Sequence, residues 1–421
     1  MYGDVEWDRE ETHQFYVNRA ADQSRRDDPL DPRWALDPID PTLVGCIDLA
    51  MVEVVRRSHL GPWGVAIQAL RGVVNMPLQP EWKDAVRDAN LWMSGPSTFG
   101  ARFEEDLTTK SGLLVGHGSH ANLSSCGLFG VPKTEELLRV IFDARIANMK
   151  LTPVDTSLVL FSISQLVRAW ASVGRRGDVY VLNVDYRHYY YQLAIPDYLI
   201  PHVVVNINGK LYHPAALPMG YRDACVMAQA VTWAIVLHRE PGEDALGVPE
   251  GLAQGQVMPQ YIPLEGGGAI FVLLDGVFIV TPSESLHHRW RKRLERNEKV
   301  LNVRRKVGHS VRLTDERVVE ESPRTHQRAA APEGRPDAEK VATFAGVTFL
   351  SRNELRPAKS LPKQAGPGPS TFRQVASRMG RVLWHLRVLG AGRAPTDNEY
   401  SLMHYEPLLR LWAIIGQQSE G

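Results

Sequence analysis

A chain of 421 residues, 44% of them hydrophobic, is long enough for about two to four domains and apolar enough to build a core, which excludes disorder as its main state. No run approaches the roughly 18 apolar residues of a membrane span, and the acidic start Met1–Glu11 lacks the basic and apolar parts of a secretory signal, so a soluble, intracellular chain with no membrane partner is expected. Cys46, Cys126 and Cys225 are odd in number and far apart, which suits neither a disulfide scaffold nor a zinc finger.

The 48 basic and 48 acidic residues cancel only in sum. Residues 285–421 carry 25 Lys and Arg against 14 Asp and Glu, a net +11, and residues 1–284 carry 23 against 34, a net −11. A run such as His287–Arg293 is either a track for a phosphate backbone or the solvated face of a helix.

Along the chain, Leu43–His59 has a helical pattern, followed by turn signals at Gly61-Pro62 and Gly95-Pro96. The short apolar runs Leu138–Phe142 and Val179–Val184 read as strands, separated by a helix-like stretch around Ser164–Ser172. An amphipathic helix is expected over Ala224–Leu237 and an exposed connection over Pro241–Gly268. Gly266-Gly267-Gly268 lacks the Gly-Lys-Ser/Thr of a phosphate loop and reads as a flexible entry to a hairpin. That hairpin pairs Ala269–Leu274 with Val277–Val280 around Asp275-Gly276, which taken alone is an ordinary type I′ turn with Gly276 at positive φ. Residues 323–338 and 357–370 are loop-like, and 372–389 and 400–415 look helical. The class is α+β. His117, His120 and Cys126 lack a fourth ligand at metal-site spacing and read as loop residues.

Five motifs, with the hairpin between the last two, stand in order. They are Gly130-Val131-Pro132-Lys133; Arg139–Arg145 with Asn148; Asp185-Tyr186-Arg187-His188-Tyr189-Tyr190-Tyr191-Gln192-Leu193; Leu217-Pro218-Met219-Gly220-Tyr221 with Gln229; Leu273-Leu274-Asp275-Gly276; and Phe344–Phe349. In this succession the chain resembles the reverse transcriptases of retroelements over roughly residues 125–360. The part after Pro357 looks like the connection of long-terminal-repeat and tyrosine-recombinase elements.

The resemblance implies a right-hand polymerase fold with an antiparallel palm sheet: an N-terminal extension at 1–110, fingers at 111–165, palm with the remaining fingers at 166–355, and a helical thumb or connection at 356–421. It implies RNA-directed DNA synthesis from a DNA or RNA primer on an RNA template, using deoxynucleoside triphosphates and two Mg²⁺ ions, with Mn²⁺ an alternative. Such chemistry needs carboxylates from separate strands around ions about 3.5–4 Å apart. Asp185 and Asp275 match the metal ligands, Lys133 and Arg139 the cations on the triphosphate, and Tyr190 the ring under the sugar that excludes a 2′-hydroxyl. Gly220 and Gln229 match positions beside nucleotide and template. Arg145 reads as a partner of Asp143, and Lys299 and Lys306 as solvated or backbone-contacting cations.

The family's Tyr-x-Asp-Asp is here Leu273-Leu274-Asp275-Gly276, so the second Asp is absent. Gly keeps a turn but removes one charge from the ion site. A catalytically degenerate relic that binds nucleic acid through its basic C-terminal third is therefore an alternative, as is an RNA-directed RNA polymerase.

Overall fold

The computed structural model describes residues 34–358 except 75, 89–96, 119–125, 135, 316 and 321–341. The expected helices over 372–389 and 400–415, the loop over 323–338 and His120 lie outside the described residues.

In chain order the elements are β1 (Ala35–Leu36), α1 (Leu49–His59), α2 (Val65–Leu70), α3 (Trp82–Asp88), α4 (Thr98–Arg102), β2 (Leu114–Gly116), β3 (Gly127–Pro132), β4 (Leu137–Asp143), α5 (Arg145–Lys150), α6 (Ile163–Gly174), β5 (Val179–Tyr186), α7 (Tyr189–Gln192), β6 (Val205–Ile207), β7 (Lys210–Pro214), α8 (Ala224–Leu237), β8 (Tyr261–Pro263), β9 (Ala269–Leu273), β10 (Gly276–Thr281), α9 (Glu284–Val300), β11 (Arg305–Leu313), β12 (Val318–Glu320), β13 (Thr343–Phe344), β14 (Val347–Phe349) and β15 (Leu355–Pro357), besides short 3₁₀ and π turns.

A six-stranded sheet in the order β12-β11-β5-β10-β9-β8 forms the middle layer. All five of its strand pairs are antiparallel. The strands at its centre are apolar on both faces because both faces are covered. Leu182, Val184, Ile270, Val272, Val277 and Ile279 pack toward α8 and α9. Val179, Val181, Phe271, Phe278 and Val280 pack on α6 and the β13–β14 hairpin. Ser162 and Gln165 form a reciprocal capping box that starts α6. In the layer it meets, Phe344 stacks on Phe278 with ring centroids 4.8 Å apart.

Helix α8 departs from the amphipathic expectation. Every residue in it except Cys225 is buried, because α1 and α2 cover the side that faces away from the sheet. The described part of residues 34–110 therefore shares the core of α8 and the sheet and does not form a core of its own. The first helix starts later than its apolar pattern suggests, where the Asp48 side chain accepts from Met51 N. The connection over 241–268 is also less exposed than expected. Leu246, Ala253, Met258, Ile262 and Leu264 are buried, and the indoles of Trp63 and Trp290 donate to the carbonyls of Ala253 and Leu246.

Besides the β13-β14-β15 sheet, two smaller sheets flank this body. Strand β4 pairs antiparallel with β3 and parallel with β1, and β7 lies between β2 and β6. No described helix is long and apolar enough to cross a membrane.

Candidate active site

Strand β5 runs through the middle of the sheet and delivers Asp185 to one end of it, opposite Gly276 at the start of β10. The turn between β9 and β10 adds Asp275, whose carbonyl accepts from Tyr186 N at 2.9 Å. Both carboxylates line a cavity of about 480 Å³. Burial, and then the neighbouring Asp185 charge, pushes the Asp275 carboxyl up to about 6.

The turn is not the expected one. Its positive φ, 54°, falls on Leu274, while Gly276 sits in the strand outside the left-handed region. The conformation is imposed from α8. Gln229 Oε1 accepts from Leu274 N at 2.7 Å and its Nε2 donates to Val272 O at 2.9 Å. Thr232 Oγ1 donates to Leu274 O at 2.5 Å. A leucine at positive φ is held there because its peptide groups have fixed, buried partners. Gln229 is 1% exposed and does not line the cavity, so it positions the Asp275 turn from behind. Gln229→Leu is expected to strand Leu274 N–H and Val272 O and to lower unfolding stability by about 2–3 kcal/mol in urea. A change below about 0.5 kcal/mol would show that the turn holds itself.

Gly220 likewise stays off the cavity wall and precedes α8 instead of lying on it. Its φ is +119°, and a Cβ there would sit 2.0 Å from Phe142 O. Glycine is required where this loop crosses β4, and the loop sets the neighbouring Met219, which does line the cavity.

The remaining expected residues face the cavity. Tyr190 is half-buried on the single turn α7, its hydroxyl 3.2 Å from Cys225 Sγ. Tyr189 and Tyr191, at 2% and 3% exposure, are core residues, so helical packing takes two of the three tyrosines. Arg139 stands exposed on β4 and makes no ion pair with any described residue. Lys133 does have a partner, Asp37 Oδ2 at 2.5 Å. Arg145 clasps Asp143 through Nε and Nη2 at 2.7 and 2.6 Å, as read.

Two residues of the cavity, Asp37 and His188, had no role in the sequence reading, and a third, Lys306, had no partner in it. Asp37 enters because β1 pairs with β4, and it accepts from Lys133 with His188 Nδ1 3.5 Å away. His188 holds a left-handed φ of 46°, and burial lowers its pKa. Lys306 is exposed, as read, but it also has a charged partner. Its Nζ lies 2.9 Å from Asp185 Oδ2.

The basic run on α9 is partly neutralised from within the fold, while Arg291 and Lys292 pair with no described carboxylate. Arg289 pairs with Asp244, Arg293 and Arg296 pair with Glu243, and His287 is buried against Ser310. Of the run's cations, Arg289 and Arg293 are therefore already held by carboxylates.

Two carboxylates with open space beside them fit one Mg²⁺, which binds readily through one or two carboxylates plus water and phosphate. A pair of ions would have to share these two carboxylates. Gly276 brings no third carboxylate, a Cβ there would meet the Phe344 ring at 3.1 Å, and among the described residues no three His, Cys, Asp or Glu side chains converge.

No family model and no curated protein matches the chain. Among solved structures it is similar to the native prototype foamy virus protease–reverse transcriptase, at 14% identity and TM-score 0.33 over 55% of this chain and 24% of that one. It is also similar to a foamy viral protease–reverse transcriptase in complex with double-stranded DNA, at 12% identity and TM-score 0.41 over 75% of this chain and 51% of that one. The chain thus spans a quarter to a half of the solved chains it matches.

Proposed function

We propose that the chain is an RNA-directed DNA polymerase that extends a DNA or RNA primer on an RNA template with deoxynucleoside triphosphates. The observation that carries this reading is the meeting of Asp185 and Asp275, from a central strand and the adjacent hairpin, at one cavity that also holds Arg139, Lys133 and Tyr190. A bound Mg²⁺ would supply charge for the primer 3′-hydroxyl and for the phosphates. Asp185 and Asp275 would hold it. Arg139, which makes no ion pair with any described residue, binds and orients the triphosphate, and Lys133 joins it by leaving Asp37. The half-buried Tyr190 ring, anchored at its hydroxyl by Cys225, excludes a 2′-hydroxyl by bulk. Fingers, palm and thumb are assigned at 111–165, 166–355 and 356–421.

Primer extension on an RNA template, with deoxy- and ribonucleotides offered separately, tests the reading. Extension with deoxynucleotides is expected. In Tyr190→Ala, ribonucleotide use should rise at least about tenfold relative to deoxynucleotide use. Wild-type extension with ribonucleotides alone would make the chain an RNA-directed RNA polymerase.

A second reading is favoured by Gly276 and by the Lys306 ammonium on Asp185. Here the chain is a polymerase relic that binds nucleic acid without extending it. Salt-sensitive binding of a template–primer by a chain inactive with both nucleotide types would establish it.

A further inference from the structure

Lys306 reaches Asp185 through an irregularity in the sheet. Strand β11 pairs with β5 as Arg305 to Tyr186 and then Val307 to Asp185, so Lys306 is one extra residue between two ladder partners. A bulge of this kind re-aims a side chain. Here it brings the ammonium onto the carboxylate, at 2.9 Å, with the Lys306 side chain still 56% exposed. The preceding Arg305 is spent elsewhere, on Glu298 at 2.7 Å. Across β5, the position that would face Asp185 with a further carboxylate is Gly276, and its Cβ direction is filled by Phe344. The chain therefore adds a fixed positive charge at the point where it lacks a negative one.

We infer that the Lys306 ammonium stands in for a second divalent ion at Asp185, so that the cavity takes a single divalent cation. The inference rests on the proposed reading of Asp185 and Asp275 as cation ligands. It differs from that reading in stoichiometry and in giving Lys306 a defined part. Lys306 supplies one of the two positive charges that a second divalent ion would bring, and it competes with any ion that approaches Asp185. Three carboxylates, Asp37, Asp185 and Asp275, then face four cations, Lys133, Arg139, Arg187 and Lys306, around the cavity. One divalent ion brings two further positive charges, and these await the triphosphate.

Manganese binding to the full chain tests this without turnover. Mn²⁺ is titrated alone and with a deoxynucleoside triphosphate, and bound ion is counted by electron paramagnetic resonance. The wild type should bind one Mn²⁺ per chain, and Asp275→Asn should lose it. Lys306→Met should bind Mn²⁺ about tenfold more tightly or take up a second ion, as expected when a like charge is removed near the site. Lys306→Arg, which keeps the charge, should match the wild type. Two ions on the wild type would overturn the inference, as would Lys306→Met binding one ion with wild-type affinity. If neither the wild type nor Lys306→Met binds Mn²⁺ while both keep native circular dichroism, the cation-ligand reading of Asp185 and Asp275 itself fails.

Discussion

Asp275→Asn is expected to lower primer extension at least about a thousandfold and, at the same time, to make the fold more stable at neutral pH. The two effects share one cause. Asp275 is buried beside Asp185, and its pKa of about 6 in the folded chain exceeds the ordinary carboxylate value. The fold therefore prefers the protonated acid. The stability this group contributes is complete below about pH 4, declines as the pH rises and is gone above about pH 6. Holding the ionised form at pH 8 thus costs the fold roughly 2–3 kcal/mol, which the neutral amide does not incur. Thermal unfolding should show a higher Tm for Asp275→Asn than for wild type at pH 8, and the gap should close at pH 4. A carboxylate with a purely structural role gives the opposite sign. If the variant is less stable at pH 8, or if extension is unchanged, Asp275 is not a destabilised residue kept for its charge.

The sequence made the centre of this arrangement legible because it depends on local pattern. Two apolar runs around Asp275-Gly276 can hardly be anything but a hairpin, and Val179–Val184 is too rich in β-branched residues and too short to suggest another element. Both carboxylates follow from those strands. What surrounds them depends on contacts between distant segments. Asp37 enters through a two-residue strand that no periodicity marks. Lys306 enters through a single extra residue in β11, which an alternation pattern does not reveal. Leu274 takes the strained φ in place of the neighbouring glycine because Gln229, 45 residues upstream, fixes its N–H. The apolar run of α8 was visible, but whether one side met water depended on α1 and α2, whose pattern says nothing about where they pack.

Gly220→Ala is expected to destabilise the chain by about 3 kcal/mol or more, through a mechanism that a second glycine can separate. Two faults combine at this position. A φ of +119° strains any L side chain, and the added methyl would lie 2.0 Å from the carbonyl oxygen of Phe142. That oxygen belongs to strand backbone and cannot swing aside as a flexible side chain would. The loop is also pinned from both directions, since Phe142 N donates to Met219 O at 2.9 Å and Asn148 Nδ2 donates to Gly220 O at 3.0 Å. Gly209 supplies the comparison, because its φ is +80° and nothing lies within 4 Å of a Cβ placed there. Gly209→Ala should therefore show the conformational strain alone, about 1 kcal/mol. Urea unfolding of both variants should give a much lower midpoint for Gly220→Ala at an unchanged slope. If Gly220→Ala costs no more than Gly209→Ala, the loop yields to the methyl and the close approach to β4 is not what demands glycine. If the large loss appears, the same displacement reaches the cavity, because β4 carries Arg139 and the loop carries Met219, and nucleotide binding should weaken even where the variant is still folded.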